Sequence, residues 1–261
     1  MDKRTVLDST AQSSEERVLL GHVWDKWQQT ARQNIPTVTA FLSPHEQAAV
    51  KRLLQTVGAE NDVFFGGYDS AERRQLHFLP DWMEAPDGDA VTALRCSFYH
   101  GDKAPTHRDL LGSLMGLGVT RGSIGDILVS SESADVLVAS GVAEFLLQQW
   151  SAAGRTPLRV KVIPLTELLV PPEQYREIRD TVASLRLDSV AATGFSTSRA
   201  KAAEAIAQGR VEVNWTECRK ADRTVEAGDV ITVRGAGKCK LSSVGAPTRK
   251  GRFPICVKRY I

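Results

Sequence analysis

No run of apolar residues in this sequence approaches the length needed to span a bilayer. The polar opening MDKRTVLDSTAQSSEER likewise lacks the apolar core that a secretory signal requires. A cytoplasmic protein without a membrane partner is therefore expected. Cysteine is scarce: Cys96, Cys218, Cys239 and Cys256 are far apart and form no C-x-x-C pair. That spacing argues against a zinc knuckle or a dithiol redox site and favours buried or inert thiols. The five histidines (His22, His45, His77, His100, His107) show no metal-ligand spacing, so neither a metal nor a cofactor is expected. Internal repeats and low-complexity tracts are also missing. What remains is 261 residues with 42% apolar and 25% charged content, which excludes full disorder and leaves room for two or three separate cores.

The net charge of +2 conceals an asymmetry. Residues 186–261 carry 15 Lys and Arg against 7 Asp and Glu, leaving 18 against 24 for residues 1–185. After Asp229 there are eight basic residues and no acidic one: Arg234, Lys238, Lys240, Arg249, Lys250, Arg252, Lys258 and Arg259. Such a stretch suits a polyanionic partner. Charge alone does not separate that reading from a solvated basic face.

Hydrophobic spacing sets out an α+β chain of three domains, with boundaries near residues 82 and 168. In the N-terminal domain, SSEERVLLGHVWDKWQQTARQN places Leu20, Val23, Trp24, Trp27 and Ala31 on one helical face, with Ser13 and Glu16 as a capping box. A second helix is announced by Ser43, Pro44 and Glu46, turns Val50, Leu53, Leu54 and Val57 inward, and ends at Gly58. The segment VFFGGYDSAERRQLHFLP reads as strand, Gly-Gly turn, short helix and strand. Residues 83–168 then give the order βαββαβ, with a helix capped by Thr106. This is the ferredoxin-like, RRM-like arrangement common among RNA-binding modules. An RRM needs stacking aromatics on its central strands, and only Phe98 and Tyr99 are adjacent there, so base stacking by this sheet is not expected. Pro164, Pro171 and Pro172 break the last strand and start a linker helix into the C-terminal domain, residues 169–261.

The C-terminal domain opens with two short helices after the linker. One runs from about Leu185 to Thr193 and stops at Gly194. The other follows Ser198, puts Ala200, Ala203, Ile206 and Ala207 on one face and closes at Gly209. The strands VEVNW and DVITVRG come next. Arg199 and Lys201 stand in the first turn of the second helix, where the partial positive charge of the helix end disfavours cations by roughly 0.3–1 kcal/mol each. With the Ser196 and Ser198 hydroxyls and the free amides they form a phosphate site. Arg210, Arg219 and Lys220 fall on the same side, and Arg234 and Lys238 add supporting attraction. The alternative is that Arg199 merely packs its stem on the first helix and reaches solvent.

The elements R-L-D, S-R-x-x-A, I-x-x-G-x-V-x-V-N and G-D-x-I-x-V-R-G occur in order over about fifty residues. Together they resemble the S-four domain, the αL RNA-binding motif. That resemblance implicates Arg186, Asp188, Ser198, Arg199, Lys201, Arg210 and Asn214, with Asp188 in a structural role. Trp215 departs from the glycine that many members have after V-N, and either a stacking element or a plug against the next strand would account for it. Upstream, FFGGYDSAER and THRDLLGSLMGLGVTRGSIGDI look like the bacterial YlmH family, and that similarity covers essentially the whole chain. The resemblance implies a monomer that binds rRNA and tRNA on the large ribosomal subunit, in translation rescue or ribosome-associated quality control.

Catalytic constellations are not convincing. Gly235-Ala236-Gly237-Lys238 fails as a phosphate loop because Thr232 occupies the first glycine position and Cys239 replaces the magnesium-holding hydroxyl; a basic strand turn fits better. GLGVTRG lacks the third glycine of a dinucleotide fingerprint and reads as a helix end and loop. Arg186-Leu187-Asp188 superficially matches the catalytic triplet of pseudouridine synthases, but no large catalytic domain follows. Arg108 and Arg121 offer a secondary RNA contact, with ordinary capping by Thr106 and Asp109 as the equal alternative. A non-enzymatic RNA-binding protein is expected. The competing readings are an RNA-modifying enzyme with an S-four appendage and a scaffold linked to cell division.

Overall fold

A computed structural model describes residues 2–86, 88–98 and 104–260, in two compact units, Met1–Pro171 and Pro172–Ile261. The first unit begins with α1 (Lys3–Thr10) in the polar opening, where only Val6 and Leu7 are buried, too few for a periodic signal. In α2 (Ser14–Gln33) the Glu16 amide donates to the Ser13 hydroxyl. The Glu16 carboxylate instead accepts from the Gln12 amide, so the expected box is half formed. Leu20, Val23 and Trp24 are buried and Trp27 is half-buried, but Ala31, in the last turn, is exposed.

After β1 (Thr37–Val38) comes α3 (Pro44–Val57), which has the complete reciprocal box between Ser43 and Glu46, and Gly58 at φ 62° closes it. Its Val50, Leu53 and Leu54 share a core with Leu20, Val23 and Trp24 of α2. The strands β2 (Asp62–Phe65) and β3 (Gln75–Phe78) complete an antiparallel sheet in the order β1-β3-β2. The expected short helix between them is absent, and turns take its place. The Asp126 carboxylate accepts from the Glu72 amide at 2.7 Å, the Arg73 amide at 3.0 Å and the Tyr68 hydroxyl at 2.9 Å. Those amides are thereby withdrawn from any helical ladder.

The remaining elements are β4 (Val91–Ser97), α4 (His107–Gly116), β5 (Ile124–Val129), β6 (Ser133–Ala139), α5 (Ser140–Gln149), a hairpin of β7 (Ala152–Ala153) and β8 (Thr156–Pro157), and β9 (Arg159–Ile163). Antiparallel pairing in the order β5-β6-β4-β9 makes the sheet ferredoxin-like, as expected. One face carries α4 and α5, through Leu110, Leu114, Ala143, Leu146 and Trp150. The opposite face, on which an RRM stacks bases, is already covered: Ala93, Leu137 and Ile163 pack with Phe41, Leu165 and Leu168. Beside them Arg95 and Asp135, directly opposite each other on β4 and β6, form a two-pronged ion pair at 2.7 and 2.8 Å. Asp135 also accepts from the Leu169 amide. Phe98 packs into the helix-side core, and Tyr99 and His100 lie outside the described residues.

The second unit runs β10 (Tyr175–Val182), α6 (Leu187–Gly194), α7 (Arg199–Ala207), β11 (Val211–Val213), β12 (Thr216–Glu217), β13 (Val230–Val233), β14 (Gly237–Val244) and β15 (Phe253–Tyr260). Its sheet has the order β10-β15-β14-β13-β11-β12. The expected linker helix is thus the strand β10, paired along its whole length with β15 from Tyr175 opposite Tyr260 to Val182 opposite Phe253. Tyr175, Ile178, Thr181 and Val182 suit a strand, and pairing with a distant partner overrides the helix start that the prolines suggested. Ala202, Ala205 and Ile206 form the buried face of α7, whereas Ala200 and Ala207 are exposed. Four of the six residues from Ala200 to Ala205 are alanine, so periodicity leaves the face ambiguous and packing chooses it.

Candidate nucleic-acid interface

The pair α6 and α7 lies against the sheet through Leu187, Val190, Ala191, Ala202, Ala205 and Ile206, which share one core with Ile231, Cys239, Leu241 and Val257. Gly194 allows the close approach: a Cβ there would meet the Cys239 sulfur at 2.7 Å. Burial pushes the Cys239 thiol up to about 12, and Cys96 is raised for the same reason. Between the helices the chain turns through Phe195, Ser196 at φ 51° and Thr197, then enters α7 at Ser198, whose hydroxyl accepts from the Lys201 amide at 3.2 Å. Gly209, at φ 69°, follows α7 and lies against the side chains of Glu217 and Arg219.

The cations of this region fall into two groups. Arg186, Arg199 and Arg219 each hold a carboxylate. Asp188, only 4% exposed, receives Arg186 at 3.1 and 3.2 Å and Arg199 at 3.1 Å, so two guanidinium groups share one anion. Burial raises the Asp188 carboxyl, but these hydrogen bonds prevail and hold it below the ordinary carboxylate value. Arg219 pairs with Glu217 at 2.6 Å. Lys201, Arg210 and Arg234 form the second group: all three are exposed, and among the described residues none has a carboxylate partner.

These three cations surround one cleft of about 390 Å³. Buried Ala191, Ala202, Ala205 and Val211 form its floor, and half-buried Phe195 and Val233 its sides. Exposed Thr197, Lys201, Arg210, Arg234, Gly235 and Ala236 form its rim. Residues 234–236 belong to the tight turn from β13 to β14, with Gly235 at φ 83° and Gly237 at φ 96°, so the glycine-rich segment is a strand turn. The Arg259 guanidinium lies 5.5 Å from the centre of the Phe195 ring, and the Lys238 ammonium lies 4.7 Å from that of Tyr260. Neither motif nor charge reasoning points to Phe195. The only sequence signal for it is a lone aromatic directly after the Gly194 helix stop.

The other expected positions do not line this cleft. Ser196 and Lys220 are exposed. Asn214 is committed to the fold: its amide donates to Asp229 at 2.7 Å, and its carbonyl accepts from the Val230 amide at 2.9 Å. Asn214 at φ 51° and Trp215 at φ 59° form the two-residue connection between β11 and β12, where Val213 pairs with Thr216. In the first unit Arg121 is half-buried, and its guanidinium donates to the carbonyls of Ile124 at 2.6 Å and Gly125 at 3.3 Å. Arg108 is exposed in the first turn of α4, where Thr106 and Asp109 make a full capping box. Burial, with Arg121 nearby, lowers the His107 imidazole. Among the described residues no cluster of His, Cys, Asp or Glu could hold a metal ion, and no helix is long and apolar enough to cross a membrane.

Two family models match. One, described as "Putative RNA-binding domain in YlmH", covers residues 103–167, and the S4 domain covers 185–231. The chain is 33% identical over 226 residues to "Ribosome-associated protein quality control protein P2" of Bacillus subtilis, a match that covers 85% of this chain and 86% of that one. Among solved structures, "Cell division protein ylmH from Streptococcus pneumoniae" superposes with a TM-score of 0.52 at 24% identity, covering 61% of this chain and 97% of that one. This second likeness concerns the fold alone.

Proposed function

Because the chain belongs to the YlmH family, we propose that it is a non-enzymatic, RNA-binding protein of the ribosome, gripping rRNA or tRNA on the large subunit through its S4 domain in ribosome-associated quality control. One observation carries the reading: Lys201, Arg210 and Arg234, each without a carboxylate partner among the described residues, converge on one concave surface of that domain. Unpaired cations around a cleft face a polyanion without first breaking an internal ion pair. Arg186 and Arg199 lie outside the cleft lining and remain partly exposed, 38% and 55%, while anchored to Asp188. They present N–H groups in fixed orientation rather than a full net charge. Ser196, Ser198, Arg219 and Lys220 belong to this RNA-binding reading outside the cleft lining, whereas Lys238 points to the opposite face of the sheet, over Tyr260, and Asn214 braces its hairpin through Asp229.

The assignment to the ribosome and to quality control rests on the name and extensive similarity of the Bacillus subtilis relative. The non-enzymatic reading rests on the RNA-binding family models and on the name of the Bacillus subtilis relative. In the first unit, RNA contact is assigned to the exposed Arg108 end of α4 rather than to the covered sheet face, and Arg121 acts there as a brace.

The test uses the full chain. Lys201→Glu, Arg210→Glu and Arg234→Glu together should abolish cosedimentation with large ribosomal subunits at physiological salt. Lys201→Ala, Arg210→Ala and Arg234→Ala should reduce the slope of log K against log salt for RNA by about 2–3. Undiminished cosedimentation of the triple glutamate variant would sink the assignment of this surface.

A further inference from the structure

The cleft that carries the proposed function has a feature that phosphate binding alone does not require: an apolar floor and an aromatic wall. Three exposed cations on a flat surface would serve a duplex backbone equally well. Here they rim a concavity of about 390 Å³ whose floor is Ala191, Ala202, Ala205 and Val211, with Phe195 at its side. Resting on the RNA-binding reading, we propose that this cleft takes a single unpaired nucleotide extruded from structured RNA. Its base lies against Phe195 and the alanine floor, and its flanking phosphates meet Lys201, Arg210 and Arg234.

Size and charge support this occupant together. A cavity of this volume lies within the range of about 300–1,000 Å³ that holds one small-molecule-sized group, and it is too small for a base pair with its two backbones. The floor is built from alanine and valine side chains, with no buried polar side-chain atom that an apolar base face would leave unsatisfied. Phe195 lines the cleft with an aromatic ring and is in cation–π contact with the Arg259 guanidinium, 5.5 Å from the ring centre. The rim carries positive charge on α7, on the residue after Gly209 and on the β13 to β14 turn, so both phosphates bracketing an extruded base find a cation. The binding energy therefore has two separable components, a salt-dependent rim and a salt-independent floor.

The experiment compares two RNA hairpins that differ only by one bulged nucleotide, a fluorescent purine analogue, in binding to the full-length protein. The bulged RNA should bind about tenfold more tightly, with quenching of the analogue on stacking. Ala236→Trp fills the cleft from its exposed lip without touching the core, and should erase that preference, so that the two RNAs bind alike. Phe195→Leu should reduce both the preference and the quenching. Equal binding of the two RNAs by the wild type, or a preference that survives Ala236→Trp, overturns the single-nucleotide site and leaves the RNA-binding reading intact. Absence of binding to either RNA overturns both. Saturable micromolar binding of a free nucleoside monophosphate that RNA does not displace would make this a free-nucleotide site and overturn the assignment to RNA.

Discussion

Arg199, at the start of α7, reaches back to Asp188 on α6, with its Nε 3.1 Å from Oδ2. Arg186 holds the same carboxylate, so the two guanidinium groups are alternative partners for one buried anion. Removing either alone leaves the other in place and should change stability little, because each is partly exposed. Removing both leaves Asp188 with the Ser189 hydroxyl at 3.3 Å and should add about 1–3 kcal/mol beyond the two single losses. Urea unfolding of Arg186→Ala, Arg199→Ala and the double variant gives the three values. Strict additivity would show that the arginines do not substitute for one another.

The same carboxylate predicts an acid limit. Asp188 sits below its ordinary value of 3.8, so the unfolded chain takes up this proton more readily than the folded one. Its contribution to stability is complete above pH 3.8 and is lost as the pH falls through the lower value of the folded state. Acid unfolding followed by circular dichroism should show this component in the wild type and not in Asp188→Asn. An identical acid profile for both proteins would mean that other carboxylates set the limit.

Trp215 offers a test of backbone strain. At φ 59° it occupies the left-handed region, in a connection whose other residue, Asn214, tolerates it better. Trp215→Gly and Trp215→Ala both delete the indole, but only glycine relieves the backbone, so the glycine variant should be the more stable by about 1 kcal/mol. Equal denaturation midpoints for the two variants would show the turn to be unstrained. The plug and stacking roles considered for the indole affect both variants alike and cancel in the comparison.

Elements defined by neighbouring residues are legible in the sequence, and those defined by distant partners are not. The limits of α3 can be read because Ser43, Pro44, Glu46 and Gly58 act within a few residues of the helix ends. The strand β10 cannot, because its defining contacts lie with residues 253–260, and the prolines before it give a stronger local cue for a helix. The turn between β2 and β3 imitates a short helix because its amides answer to Asp126, far along the chain. At the candidate site, charge spacing groups Arg199 and Lys201 with Arg210, Arg219 and Lys220. It does not reveal which of them are already paired, since Asp188 meets Arg199 only when α6 and α7 are packed. The cleft is hidden for the same reason: Phe195, Ala202 and Ala236 come from three separate segments and have no shared motif.

The position of β15 bears on how the second unit is made. The strand lies between β10 and β14, an interior place in the sheet filled by the last of its strands to leave the ribosome's exit tunnel. Until it arrives, β10 has no hydrogen-bonding neighbour and β14 has a bare edge, although α6, α7 and β13 are already synthesised. The surface around Lys201, Arg210 and Arg234 thus rests on a scaffold that is completed late. A nascent chain would acquire a finished sheet beneath it only when Tyr260 had cleared the tunnel.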